Sequence, residues 1–137
     1  MTVKKALDIA TWAHEGQIDK SGNPYIEHPK AVADMVEGDA AKMVALLHDV
    51  IEDTCWSMTD LRKAGFCNRV LDAVDAITKR DDETHDAYLG RVKTNELALV
   101  VKLADIAHNE SRIDSIPYPA TKDRLRNKYE DARKILC

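Results

Sequence analysis

Glu96-Leu-Ala-Leu-Val-Val-Lys-Leu-Ala-Asp-Ile-Ala-His-Asn109 is the stretch on which the fold turns. In isolation its apolar run from Leu97 to Val101 fits a buried strand as well as a helix. The continuation through Leu103, Ala104 and Ala107 carries the pattern past the length of an ordinary strand, so it reads as a buried helix to about His108. No other stretch shows convincing two-residue alternation. The fold class expected is therefore all-α.

Working outward, the remaining helices announce themselves by spacing and by punctuation. Thr2 suits the cap of a first helix with apolar positions Val3, Leu7, Ala10 and Ala13, closed by Gly16. Turn formers fill Gln17 to His28, and Pro29 suits the first position of a second helix that runs through Val32, Ala33 and Val36 to Gly38. Asp39 is expected to cap a third, continuous from Ala40 to about Ile51. Ser57 with Asp60 three residues on resembles a capping box, opening a short helix that Gly65 closes. Val70, Leu71, Val74 and Ile77 mark a helix ending near Lys79. Asp81 to Glu83 is a polar break before a segment with Tyr88, Leu89 and Val92. Pro117 and Pro119 interrupt the chain ahead of a last amphipathic helix carrying Leu125, Tyr129, Ala132 and Leu136.

The 137 residues are read as one domain, 1–137, with 45% hydrophobic and 32% charged residues. No run approaches the ~20 apolar residues of a membrane span, and the start lacks the apolar core of a signal peptide. Cys55, Cys67 and Cys137 are odd in number and scattered, which fits free thiols in a reducing cytoplasm. A net charge of −4 argues against an extended nucleic-acid surface. It permits a small anionic substrate where a cation and a few lysines supply local positive charge.

The chemistry concentrates in Ala45-Leu-Leu-His-Asp-Val-Ile-Glu-Asp-Thr54, where four ionisable groups interrupt a core-like helix. Helical spacing puts Glu52 four residues after His48 and Asp53 four after Asp49, toward one side of the helix end. Asp105 repeats the pattern inside the most apolar helix, with Lys102 three before it and Asn109 four after. His28 stands between a turn and a helix start in Pro24-Tyr-Ile-Glu-His-Pro29, its backbone stiffened by proline on both sides. Singly, each of these residues has a plainer reading as a cap, a bridge or a core histidine. Jointly, one divalent cation held by His28, His48, Asp49 and Asp105 explains them all, since burying such groups without a partner costs several kcal/mol.

These segments also carry a family resemblance. The H…HD…D order of His28, His48-Asp49 and Asp105 resembles that of HD-domain phosphohydrolases. His14-Glu-Gly-Gln17, Ser21-Gly-Asn-Pro-Tyr-Ile-Glu-His-Pro29, His48-Asp-Val-Ile-Glu-Asp-Thr54 and Lys102-Leu-Ala-Asp-Ile-Ala-His-Asn109 look like the hydrolase domain of RelA/SpoT stringent-response enzymes. They are also similar to the small alarmone hydrolases, including the metazoan SpoT homologue, over roughly residues 5 to 112. The resemblance implies a compact helical bundle of the HD-domain type. It also implies manganese-dependent removal of pyrophosphate from the 3′ position of guanosine tetra- or pentaphosphate. His28, His48, Asp49 and Asp105 match the metal ligands, Glu52 and Asp53 the acidic pair that positions or deprotonates water. Lys20, Ser21 and Asn109 match residues of the nucleotide site.

Two positions depart from the family pattern. Asp19 is acidic where a basic residue is usual, and the basic residue expected two after Asn109 is replaced by Ser111, with Arg112 next. Both touch substrate recognition and leave the metal set intact. They keep open the same chemistry on another substrate, such as a pyrophosphorylated tRNA 3′ end in an antitoxin role. A nucleotide sensor without turnover is the third reading. Among other residues, His14 is expected to brace the first loop, His85 to lie at the surface, and His108 to support the site or pack in the core. Trp12, Trp56 and Tyr129 are expected to pack between helices. Lys79 and Lys102 either reach a phosphate or lie along the surface.

Overall fold

Thr2 is extended, accepts a hydrogen bond from the Lys5 amide through its side chain, and so starts α1 (Val3–Ala13). The computed structural model describes residues 2–137. Helix α1 buries Ala6, Ile9 and Ala10 at helical spacing. A hairpin-like loop follows, closed by an isolated bridge between Ile18 and Pro24 and turned by Gly22 at φ 84°. Then come α2 (Glu27–Asp34), α3 (Asp39–Leu47), the single-turn α4 (Val50–Asp53) and α5 (Met58–Ala64). The chain continues through α6 (Asn68–Ile77), α7 (His85–Lys93), α8 (Glu96–Ser111), a 3₁₀ turn (Ile113–Ser115) and α9 (Pro119–Leu136). The described residues contain no strand, in line with an all-α fold.

Helix α3 is the centre of the packing, with α1, α2, α6 and α8 laid against it. Its Val44, Ala45 and Leu47 lose all contact with solvent, as do Leu61, Val70, Val74, Leu89 and Val101 from neighbouring helices. Each such leucine or valine contributes about 2 kcal/mol by leaving water. Helices α7 and α9 pack on one another and on α8, which therefore has neighbours on several sides. That is why the Glu96–Asn109 stretch is apolar almost all round.

The Ser57–Asp60 capping box forms as its spacing predicts, and Gly65 ends α5 at φ 101°. Several other expectations need correction. The helix read as continuous from Ala40 to Ile51 breaks after Leu47: His48 ends α3, and Asp49, at φ −106° and ψ −2°, starts α4. In an unbroken helix the two side chains would diverge by about 100°. The break instead brings the Asp49 carboxylate to within 3.1 Å of His48 Nε2 and 2.5 Å of the Tyr25 hydroxyl. Asp39 lies in the first turn of α3 without a capping hydrogen bond, because Gly38 at φ 88° takes the cap position. Helix α2 starts at Glu27, two residues ahead of Pro29, and α9 starts on Pro119 itself, whose missing N–H costs nothing at a first turn. Trp12 is 58% exposed, with the Lys5 ammonium 5.5 Å from its ring centre, whereas Trp56 and Tyr129 pack against the core as expected.

Candidate metal centre

Pro29 and His28 lie in the buried first turn of α2, His48 and Asp49 at the α3–α4 break, and Asp105 midway along α8. The structure brings all four side chains together: one ligand atom from each lies within 4.8 Å of the others. Asp105 Oδ1 is 2.7 Å from His28 Nε2 and 3.2 Å from His48 Nε2. His28, His48 and Asp105 are buried, and the Asp49 side chain is 17% exposed, so the cluster opens to solvent on the Asp49 side.

The imidazoles are oriented from behind. His48 Nδ1 contacts the Ala45 carbonyl, which can only accept, so Nδ1 carries a proton and Nε2 is the nitrogen turned to the cluster. His28 Nδ1 is 2.7 Å from His108 Nδ1, and the two rings stack with centroids 4.9 Å apart. Histidines that hold metals are commonly fixed through their second nitrogen in this way. On the carboxylate side, Lys102 Nζ donates to Asp105 Oδ2 at 3.2 Å, and Asn109 Nδ2 to Asp105 Oδ1 at 3.4 Å.

The electrostatics show what the cluster lacks. Burial alone would lower the His48 pKa, yet the Asp49 and Asp105 carboxylates outweigh it and hold it well above the usual histidine value. Burial would raise Asp49, but the His48 charge and hydrogen bond pull it down to about 2. Burial likewise opposes ionisation of Asp105, and the Lys102 ammonium with bonds from both histidines keeps it well below the carboxylate range. A proton on His48 thus does what a bound cation would do. The donor set of two imidazole nitrogens and two carboxylates fits a divalent first-row ion.

Glu52 and Asp53 lie in α4, in the turn after Asp49, largely exposed and off the lining of the pocket that Asp49 shares. Both carboxyls are pushed up, first by partial burial and then by the Asp49 charge; each also feels the other or a nearby cation. Lys20, Ser21 and Asn109 line one pocket of about 340 Å³ together with His28, Asp49 and Asp105. Within it Ser21 Oγ is 2.6 Å from Ser115 Oγ, tying the loop to the turn after α8.

Sequence reasoning gave no role to several side chains in this region. Tyr25 donates to Asp49, and burial beside three carboxylates pushes its phenol far up, so it stays a donor. Its signal was present in Pro24-Tyr25, without a stated partner. Ile18, Ile116, Leu125 and Tyr129 form an apolar wall that only the folded chain assembles. His14 braces the first loop, as expected, with Nδ1 2.8 Å from Gln17 Oε1, and the Gln17 amide donates to the Asp53 carbonyl. His85 departs from its expected surface place: it is half-buried, and its Nε2 is shut from solvent without a partner.

The chain resembles several named proteins. The guanosine-3′,5′-bis(diphosphate) 3′-pyrophosphohydrolase of Haemophilus influenzae is 35% identical over 144 residues, covering 94% of this chain and 20% of the relative. The bifunctional (p)ppGpp synthase/hydrolase SpoT of Escherichia coli is 35% identical over 129 residues, and the GTP pyrophosphokinase of Streptomyces coelicolor 38% over 120. Those alignments cover 83% and 78% of this chain but only 18% and 14% of the relatives, so the chain spans about a fifth of their length or less. A solved structure of a metazoan orthologue of SpoT that hydrolyses ppGpp superposes with a TM-score of 0.78 at 24% identity. It covers 98% of this chain and 82% of its own, and it establishes the shared fold. The sequence profile of the HD domain matches residues 6–137, and the chain belongs to the HD domain family.

Proposed function

We propose that the protein is a metal-dependent 3′-pyrophosphohydrolase of guanosine tetra- and pentaphosphate, with His28, His48, Asp49 and Asp105 as metal ligands. The observation that carries the reading is the convergence of those four ligand atoms, three of whose residues line one pocket, with Glu52 and Asp53 in the helical turn that follows Asp49. Names of relatives from two bacteria support it, the 3′-pyrophosphohydrolase of Haemophilus influenzae and the (p)ppGpp synthase/hydrolase of Escherichia coli. The ligand types suit Mn²⁺. When bound, such an ion withdraws charge from a phosphoryl oxygen and eases deprotonation of water.

The chain's own residues supply the rest. Glu52 and Asp53, with pKa values pushed up, accept the proton of the attacking water more readily than ordinary carboxylates do. The water oxygen forms a bond to the phosphorus carried on the 3′ oxygen, and the bond from that phosphorus to the 3′ oxygen breaks. The proton taken from water passes on to the 3′ oxygen, so pyrophosphate leaves and the ribose regains its 3′ hydroxyl. Lys20 and Asn109, on the pocket lining, are placed to meet the nucleotide, and the Lys102 ammonium beside Asp105 offsets negative charge near the reacting group. No helix among the described residues is long and apolar enough to cross a membrane. The scattered free cysteines fit a cytoplasmic enzyme, and the proposed partner is a small anion.

The test is pyrophosphate release from guanosine tetraphosphate, with and without Mn²⁺, beside pyrophosphorylated tRNA and a nucleotide panel. Manganese-dependent release from guanosine tetraphosphate is expected. Release from the tRNA 3′ end alone would move the substrate to the antitoxin reading favoured by the acidic Asp19, and metal binding without any turnover would make the domain a sensor.

A further inference from the structure

The wall of the pocket away from the metal centre has a different character from its floor. Ile18, Ile116, Leu125 and Tyr129 make it apolar, and Arg112 lies among them. The arginine is held by its edges. NH1 donates to Asp19 Oδ2 at 2.9 Å, NH2 donates to Asn109 Oδ1 at 2.7 Å and lies 3.4 Å from His28 Nδ1, and Nε is buried with no partner. Asp19 is itself immobilised: its other oxygen accepts from the amides of Ser21 at 2.8 Å and Asn23 at 2.9 Å, and its side chain is only 7% exposed.

A guanidinium is flat, carries its donors at the edges and spreads its charge over both faces. Binding a phosphate in the two-pronged manner needs those edge donors. Here Asp19 and Asn109 each take one donor, NH2 also faces His28 Nδ1 at 3.4 Å, and Nε is shut from solvent, so the edges are largely engaged inside the protein. What Arg112 offers a ligand, through the 28% of its side chain that remains exposed, is a face on an otherwise apolar wall. Such a face takes an aromatic ring, by stacking and by attraction between the cation and the π-system.

We propose that Arg112 is a specificity-determining residue that stacks the base of the nucleotide, and that Asp19 is the positioning residue that holds its plane. The proposal rests on the reading of the site as a nucleotide phosphohydrolase and adds the orientation of the substrate. The phosphate chain meets the four-ligand floor, and the base lies against Arg112 within the apolar wall. Two fused rings cover more of that face than one, so purines are preferred over pyrimidines. The acidic residue at position 19 is thereby a functional part of the pocket, exchanged with a cation from the end of α8.

The experiment is calorimetric binding of GMP, UMP and ribose 5-phosphate to the full chain loaded with Mn²⁺, three probes with the same phosphate and different bases. The unmodified protein binds GMP more tightly than UMP, and UMP more tightly than ribose 5-phosphate. Arg112→Lys keeps the charge beside Asp19 and loses the plane, so GMP affinity falls about tenfold, within the range measured for base-stacking side chains. Ribose 5-phosphate binding stays unchanged. Asp19→Asn keeps the two amide contacts of the loop and frees the guanidinium, so GMP affinity falls several-fold, and with turnover KM rises while kcat holds. Equal losses for GMP and ribose 5-phosphate in Arg112→Lys, or no loss in either variant, overturn the proposal. Failure of the proposed activity is a separate result, since it shows as absent pyrophosphate release from guanosine tetraphosphate while the base preference persists.

Discussion

At the floor of the pocket one ligand atom each from His28, Asp49 and Asp105, and from His48 behind them, lies within 4.8 Å of the others, and two carboxylates face two imidazoles with Lys102 bonded to Asp105 and Arg112 reaching the far side of His28. On its outer wall, less than a helix length away along α8, Asp19 and Arg112 are paired with each other and with neutral partners. The floor is short of positive charge, and His48 takes up a proton more readily to supply it. On the wall the charges are already paired, although the buried Arg112 Nε is left over. A region left electrostatically unfinished is built around something that binds, and a region that satisfies itself is built for shape. Substitutions on the floor should therefore change chemistry, and substitutions on the wall should change affinity.

The largest effect expected is that of Asp105→Asn. The amide keeps the shape but removes the charge shared by both histidines, and turnover should fall by about three orders of magnitude, the scale of losing a group that stabilises charge at the reacting centre. Metal stoichiometry, read by elemental analysis, should fall with it. Full activity in this variant would remove Asp105 from the site and dissolve the contrast with the wall.

Glu52→Gln should lower kcat about a hundredfold and leave metal content intact. Its pH dependence supplies a second readout. Burial, then the Asp49 and Asp53 charges, raise the Glu52 pKa; a bound cation offsets the Asp49 contribution and leaves burial in force. A base must be ionised, so activity is lost as pH falls through that raised value, and the acidic limb lies above the ordinary carboxylate range. For stability of the chelated protein the sign is reversed. A raised acid pKa contributes stability that is present at low pH and lost as pH rises through it, whereas the lowered pKa of Asp49, about 2, contributes stability that is lost as pH falls toward it. Thermal midpoints in chelator should therefore pass through a maximum near the ordinary carboxylate range, and Glu52→Gln should flatten its alkaline side.

A smaller loss is expected at His108. Its Nδ1 fixes the ring of His28 from outside the cluster, so His108→Ala should weaken metal affinity about 10- to 100-fold, measured by chelator competition, and kcat at saturating metal should change little. An unchanged affinity would mean that Pro29 and the first turn of α2 already orient His28 by themselves.

The same contrast explains what could be read in the sequence. Floor residues interrupt an apolar helical pattern, as Asp105 does in Leu103-Ala-Asp-Ile-Ala107, and such interruptions are visible locally because burial of charge demands a reason. Lys102 and His108 share that helix and were visible as candidates for the same reason. The wall has no local signal. Ile18, Asp19, Arg112 and Tyr129 come from a loop, a helix end and a later helix, and the Asp19–Arg112 pair joins positions 93 residues apart. The break after Leu47 was also hidden, because no glycine or proline marks it. It accompanies a contact of Asp49 with Tyr25, 24 residues earlier, and turns the carboxylate onto its own neighbour His48.

The smallest effect is expected at Ser21, and it separates two meanings of a residue on the wall. The resemblance to alarmone hydrolases assigns Ser21 to the nucleotide, but in the structure its hydroxyl pairs with that of Ser115. If the pairing only fastens the loop to the turn after α8, Ser21→Ala and Ser115→Ala should each lower the thermal midpoint by a few degrees. That corresponds to the loss of one exposed hydrogen bond worth about 1 kcal/mol, and both variants should have equal KM values. If Ser21 also donates to substrate, Ser21→Ala raises KM several-fold at constant kcat, whereas Ser115→Ala releases the Ser21 hydroxyl and leaves KM unchanged or lower. Because uniform binding appears in KM and chemistry in kcat, either pattern leaves the floor untouched. A fall in kcat in either variant would show that the fastening of this loop controls the geometry at the metal ligands, and that wall and floor are coupled through the Gln17–Asp53 contact.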